Sequence, residues 1–143
     1  MIGSYLNRAR ALLDELDCSC VIIGREGSVM SCNRRGVIDL FDLLKNNPRQ
    51  LDGAVIADKV VGKGAAALMV SGHVAAVYSR VMSREALSLL SREGVKTICD
   101  DVVAEIANRA GTGRCPVETL CLPCSTAAEC LPLIESFIRR QNL

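Results

Sequence analysis

Aromatic residues are nearly missing from this chain: two Phe, two Tyr and no Trp make up 3% of it. Single-stranded nucleic acids bind proteins largely by stacking on aromatic rings, so that mode of recognition has no platform here. Charge does not replace it. Seventeen Lys and Arg stand against sixteen Asp and Glu, a formal charge of +1, and without a basic field nonspecific binding to phosphate backbones or acidic membranes is not expected. No apolar run reaches the roughly 18 residues of a membrane span. The amino terminus breaks its apolar pattern with Arg8, Arg10, Asp14 and Glu15, which excludes the uninterrupted core of a secretory signal. A cytoplasmic protein with no membrane partner is expected. Histidine occurs once, as His73 in a turn after Gly72, with no acidic neighbour in sequence. A Ser-His-Asp set cannot be built on it, and with neither a Walker loop nor GxGxxG, no motif asks for a cofactor.

What the chain does contain is apolar: half of its 143 residues are hydrophobic and 23% are charged. That composition and length suit one domain, residues 1–143, with a substantial core. Eight cysteines would suggest disulfides in a secreted protein; without an export signal they read as thiols, metal ligands or core residues. The apolar content also leaves room for a homodimer, with no interface assignable.

Hydrophobic periodicity gives an α/β order. Leu6, Ala9, Leu12, Leu13 and Leu16 recur at helical spacing. Cys18 to Gly24 and Ser28 to Cys32 read as strands of a hairpin turning at Arg25-Glu26-Gly27, and a helix is expected from Val37 to Lys45. Strands at Ala54 to Ala57, Val74 to Ser79 and Val95 to Cys99 then alternate with helices at Gly62 to Val70 and Arg84 to Arg92, a pattern that implies parallel strands with right-handed crossovers. Ser83 is a suitable helix N-cap and Gly94 suits the left-handed position beyond that helix. A short helix through Val102, Val103, Ile106 and Ala107 is expected next, and a terminal helix carrying Leu131, Ile134, Phe137 and Ile138. Thr126 with Glu129 matches a capping box, although Pro132 then falls inside the helix and makes a later start near Glu129 the alternative.

Two segments concentrate the chemistry. Asp58, Lys59 and Lys63 are expected beyond the carboxyl end of a strand and at the mouth of a helix, where ligands of open α/β sheets settle and where anions are favoured. The bland alternative is that Asp58 caps the helix and both lysines are solvated. The second segment runs Asn108-Arg109-Ala110-Gly111-Thr112-Gly113-Arg114-Cys115-Pro116-Val117-Glu118. Gly111, Thr112 and Gly113 permit inward-turned amides, and Cys115 at the N-cap, Pro116 at the first position and Glu118 at the third spell a helix start. A thiol there lies in the positive end of the helix dipole, which favours the thiolate; the alternative is a half-buried cysteine that packs.

These segments, with Ala57-Asp58-Lys59-Val60-Val61-Gly62-Lys63, resemble the signatures of the family known as domain of unknown function 1893. The resemblance runs from about Leu12 to the last helix. It implies a cytidine-deaminase-like fold, a three-layer sandwich with a central five-stranded mixed sheet, and no established reaction. Zinc deaminases require a His or Cys followed two positions later by Glu, and then a Pro-Cys-x-x-Cys element at a helix start. Here the first element is replaced by Asp58-Lys59-Val60 and the second survives as Cys115 with Glu118, so standard base deamination is not expected. Asp58, Cys115 and Glu118 would make a weak zinc set.

Other cysteines offer a different chemistry. Cys115, Cys121, Cys124 and Cys130 are separated by five, two and five residues, with Cys121-Leu122-Pro123-Cys124 a CxxC of the kind used by metal knuckles and redox proteins. Cys18 and Cys20 are expected on one strand face, joined by Cys32 across the hairpin. Arg34-Arg35-Gly36 could clamp a phosphate or be solvated. Three functions follow: a binding module for a nucleotide-like or phosphorylated small molecule, using Lys63, Asn108, Arg109, Gly111, Thr112, Gly113 and Glu118; an enzyme with Cys115 as nucleophile, with Asp58, Lys59 or Asn108 assisting proton transfer; and a cysteine-based metal or redox protein.

Overall fold

The computed structural model describes residues 2–34, 36–107, 111–113 and 115–141. Its elements are α1 (Ile2–Glu15), β1 (Cys20–Ile23), β2 (Val29–Cys32), α2 (Gly36–Asn46), β3 (Val55–Val61), α3 (Lys63–Ser71), β4 (Ala76–Ser83), α4 (Arg84–Arg92), β5 (Lys96–Val103), α5 (Pro116–Cys121) and α6 (Ala127–Gln141), with a short 3-10 turn at Pro48–Gln50.

The five strands form one mixed sheet in the order β2-β1-β3-β4-β5. β1 pairs antiparallel with both β2 and β3, while β3, β4 and β5 are parallel, so β1 alone runs against the others. The hairpin closes through Gly27, at φ +94°, with its amide donating to the carbonyl of Gly24; glycine reaches that left-handed backbone without a Cβ penalty. Alternation along the strands splits the core in two. Val21, Ile23, Val55, Ala57, Ala76 and Tyr78 face α1, whose Leu6, Ala9 and Leu13 close that side. Cys20, Ile22, Ile56 and Val77 face the opposite way, into a larger core built from the remaining helices. α3 lies at its centre and touches α2, α4, α5 and α6. Its residues Lys63 to Met69 are all buried, which explains a helix made chiefly of small residues: neighbours on every side leave no room for large ones.

Several boundaries depart from the sequence expectation. β3 does not stop at Ala57 but continues through Asp58 and Lys59 to Val61, and β4 continues to Ser83. β5 continues to Val103, which replaces the helix expected around Val102 to Ala107. In each case a β-branched pair, Val60-Val61 or Val102-Val103, or the apolar Val81-Met82 extends the parallel pairing. Cys18 packs with α1 whereas Cys20 packs in the opposite core, because Cys18 precedes the strand and does not share its alternation. Cys20 and Cys32 are direct cross-strand partners, as expected. Ser83 caps α4 by accepting the Ala86 amide at 3.1 Å, and Gly94 has φ +76°. The early start of α6 prevails: Thr126 Oγ1 accepts the Glu129 amide at 3.3 Å and Pro132 lies inside the helix, the lost backbone bond being outweighed by burial of Cys130, Ile134, Phe137 and Ile138.

The approach of α5 to α3 depends on glycine. A Cβ on Gly64 would lie 2.4 Å from Val117 Cγ1, nearer than real contacts permit. Gly64→Ala is therefore expected to cost about 1–3 kcal/mol of stability by overpacking, read as a lower denaturant midpoint; an unchanged midpoint would show that α5 yields freely.

Candidate functional site

α3 begins at the carboxyl end of β3, and its N-cap residue, Gly62, has no side chain to offer. The first free amides of a helix need partners, and here the partner comes from elsewhere in the chain. Glu118, at the third position of α5, is 3% exposed and its Oε1 accepts the Lys63 amide at 2.9 Å. The same oxygen accepts the Ser83 hydroxyl at 3.3 Å. One carboxylate thus ties the start of α5 to the starts of α3 and α4. The side chain of Lys63 secures the other end of α5: its ammonium, 3% exposed as a residue, donates to the carbonyls of Leu122 at 3.0 Å and Cys124 at 2.5 Å and stands 3.8 Å from Glu85.

Glu118 Oε2 has no partner among the described residues. It faces Gly62, where a Cβ would lie 2.6 Å from it. The space in front is a cleft of about 100 Å³ walled by Val37, Val60, Ala65, Ile106 and Val117, with Glu118 and Cys115 supplying its polar groups. Cys115 is half-buried at the N-cap of α5 and makes no side-chain cap bond; its amide donates to the Ile106 carbonyl at 2.7 Å, and Pro116 takes the first helical position, as the sequence indicates.

The sequence-nominated residues separate into those at the cleft and those away from it. Cys115 and Glu118 meet there, with the Lys63 amide bonded to Glu118. The ammonium of Lys63 is turned inward to the α5 carbonyls. Asp58 and Lys59 lie within β3 rather than at a helix mouth, so neither caps α3, and neighbouring strand residues point to opposite faces. Lys59 reaches Asp17 at 3.0 Å beyond the end of α1. Asp58 sits on the larger core's side, opposite Cys20 on β1 and Ser79 on β4, and Val60, not Asp58, lines the cleft. Gly111, Thr112 and Gly113 are exposed, with Gly111 at φ +71°; Asn108, Arg109 and Arg114 lie outside the described residues. Arg34 is exposed, as a solvated turn residue would be, and it bonds Asp39 and Asp42 of α2, each at 2.6 Å; Arg35 lies outside the described residues.

Cys121, Cys124 and Cys130 gather in the core beside Lys63 while Cys115 stays at the cleft. A hydrogen bond with Cys121, then burial, holds the Cys130 thiol well above its ordinary range, and the same bond lowers Cys121. Among the described residues no three His, Cys, Asp or Glu side chains are placed to hold a metal ion, and no helix is long and apolar enough to cross a membrane. A hollow of about 420 Å³ at the far end of the sheet is edged by Arg25, Glu26, Arg49 and Asp52; Arg25 is already paired with Asp52 at 3.3 Å.

Asp58 is 4% exposed; its Oδ1 accepts the Val60 amide at 3.2 Å and Oδ2 has no partner among the described residues. Burial pushes its pKa up to about 7, against the pull of the Val60 and Lys59 amides and the Cys20 thiol. The folded-state value is above the unfolded one, so the native state holds the proton more tightly, and the group's contribution to stability falls as pH rises from about 4 to about 7. The stability of wild type relative to Asp58→Asn should decline across that window and level off above it in denaturant titrations; a flat difference would mean that Asp58 ionises normally.

Comparison with known proteins places the molecule. Residues 8–138 match the family model described as a domain of unknown function, DUF1893. A crystal structure of a DUF1893 family protein from Thermotoga maritima superposes with a TM-score of 0.85 at 24% identity, covering 95% of this chain and 91% of that one; at that identity the likeness shows the fold. No curated protein matches the chain. The match over residues 8–138, nearly the whole length, makes this chain a member of the DUF1893 family.

Proposed function

We propose that this protein is a binding domain of cytidine-deaminase-like fold, without standard zinc deaminase chemistry, that holds a nucleotide-like small molecule in the cleft between α3 and α5. The fold kinship is supported by the five-stranded mixed sheet with helices on both faces and by family membership. The departure from zinc chemistry rests on residue types: the carboxyl end of β3 carries Asp58-Lys59-Val60, with no imidazole, thiol or glutamate to hold a metal or move a proton.

The observation that carries the binding proposal is Glu118 Oε2, a carboxylate oxygen buried in a cleft with no partner among the described residues. Leaving such a group unsatisfied costs on the order of 1–3 kcal/mol or more, and a ligand that donates to it removes that cost. A carboxylate oxygen accepts, so the ligand must present N–H or O–H groups. The amino and ring N–H edge of a nucleobase does so, and bases are read by hydrogen bonds to that edge with apolar walls around the ring. The chemistry also orients a nucleotide. The first amide of α3 is already occupied by Glu118, and a phosphate beside that carboxylate would be repelled, so the base enters toward α3 and the phosphate lies outward.

Cys115 in the same cleft favours a second reading, an enzyme in which its thiolate attacks a bound electrophile. Slow alkylation of Cys115, with the pH dependence of a free thiol, would remove it.

Thermal shift and calorimetry over nucleobases, nucleosides, nucleotides and inorganic phosphate test the proposal. A base-containing ligand is expected to bind and phosphate alone is not. Glu118→Gln, which keeps one acceptor and turns the other into a donor, should weaken binding at least tenfold, an expected loss of about 1.4 kcal/mol or more, and Gly62→Ala should do likewise by filling the space before Oε2. No binding at millimolar concentration, or an affinity indifferent to both variants, would overturn it.

A further inference from the structure

The sheet ends at β5, and among the described residues no strand lies along its outer edge. The other edge strand, β2, has four residues; β5 has eight, and a long uncovered edge is a template for pairing. The Lys96 amide donates to Ala75 on the β4 side. In a parallel pair the bonding direction alternates along the strand, so over the unbroken pairing from Lys96 to Cys99 Lys96 and Ile98 bond inward while the amides and carbonyls of Thr97 and Cys99 point out. Ile98 is 38% exposed, opposite Tyr78 on the face that α1 covers further along the sheet.

We infer that β5 pairs antiparallel with β5 of a second copy about a two-fold axis at Ile98, joining two sheets into one. Such a contact is isologous, so each possible centre fixes every opposed pair. A centre at Asp100 sets two carboxylates face to face. A centre at Cys99 places Lys96 opposite Val102 and Asp100 opposite Ile98, leaving both charges uncompensated. A centre at Ile98 puts Lys96 opposite the second copy's Asp100, twice by symmetry, with Ile98 against Ile98 between the two charge pairs. The outward amides and carbonyls of Thr97 then exchange hydrogen bonds with those of the second copy's Cys99. Asp100 Oδ2 accepts the Tyr78 hydroxyl at 2.5 Å, which holds the carboxylate in place and leaves Oδ1 for the lysine. A lysine on an edge strand ordinarily discourages pairing; in this register alone it meets its counter-charge, and cross-strand pairs of opposite sign stabilise a sheet where like ones oppose it.

Light scattering and sedimentation over a concentration series test the inference on the full chain. A particle of twice 15.3 kDa is expected, with the Thr97 and Cys99 amides exchanging more slowly as concentration rises. Ile98→Lys, at an exposed position, should weaken association at least tenfold with unchanged circular dichroism. K96D should do the same, and the double swap K96D with D100K should restore association. A 15.3 kDa particle at every concentration, or a dimer indifferent to Ile98→Lys, overturns the inference; a folded double swap that stays dissociated overturns the register.

Discussion

A single backbone amide organises this protein. The Lys63 N–H, first of α3, is taken by Glu118 of α5 rather than by a cap of its own, and the lysine's ammonium takes the carbonyls beyond the other end of α5. α5 has six residues, far too few to persist alone when isolated helices of 12 or so are marginal. Its presence depends on being strapped at both ends to one residue of a buried helix. Removing the carboxylate would leave the Lys63 amide without its partner, and removing the ammonium would leave the Leu122 and Cys124 carbonyls without theirs; buried backbone groups left unpaired cost about 1–3 kcal/mol each. The glycines around Lys63 are part of the same device: Gly62 leaves space for the carboxylate and Gly64 leaves space for Val117.

The cleft is a by-product of that strap. Because Glu118 spends one oxygen on α3 and α4, its other oxygen is left facing a space bounded by apolar side chains, and Cys115, three residues earlier, is brought to the same space. The helix mouth that would attract an anion is already filled by the protein's own anion, which changes the ligand chemistry from acceptor to donor. A loosened α5 would lose the carboxylate, the thiol and the walls together, so binding and local stability should rise and fall as one property.

Much of this was legible beforehand. Alternating apolar segments gave the order of elements, the Ser83 and Thr126 caps gave helix starts, and Cys115-Pro116-Val117-Glu118 gave α5. Strand ends were not legible, because short runs such as Val60-Val61 and Val102-Val103 continue a strand or open a helix with equal ease, and parallel neighbours decided the matter. That uncertainty had a functional consequence. Once β3 runs through Asp58 and Lys59, alternation sends them to opposite sides of the sheet and removes both from the helix mouth. In sequence Glu118 reads as a third-position helix acid, the local capping role; nothing nearby in sequence shows its oxygen reaching an amide 55 positions upstream. The glycines flanking Lys63 were the available hint, since a backbone kept bare on both sides of one residue marks a close approach.

The most direct measurement of the strap is hydrogen exchange at the Lys63 amide followed by nuclear magnetic resonance. First-turn amides of a helix are ordinarily open to solvent and exchange quickly. The account predicts strong protection of Lys63 that collapses in Glu118→Ala while amides in the middle of α3 keep theirs. Fast exchange of Lys63 in the unaltered protein, or protection untouched by the loss of Glu118, would contradict it.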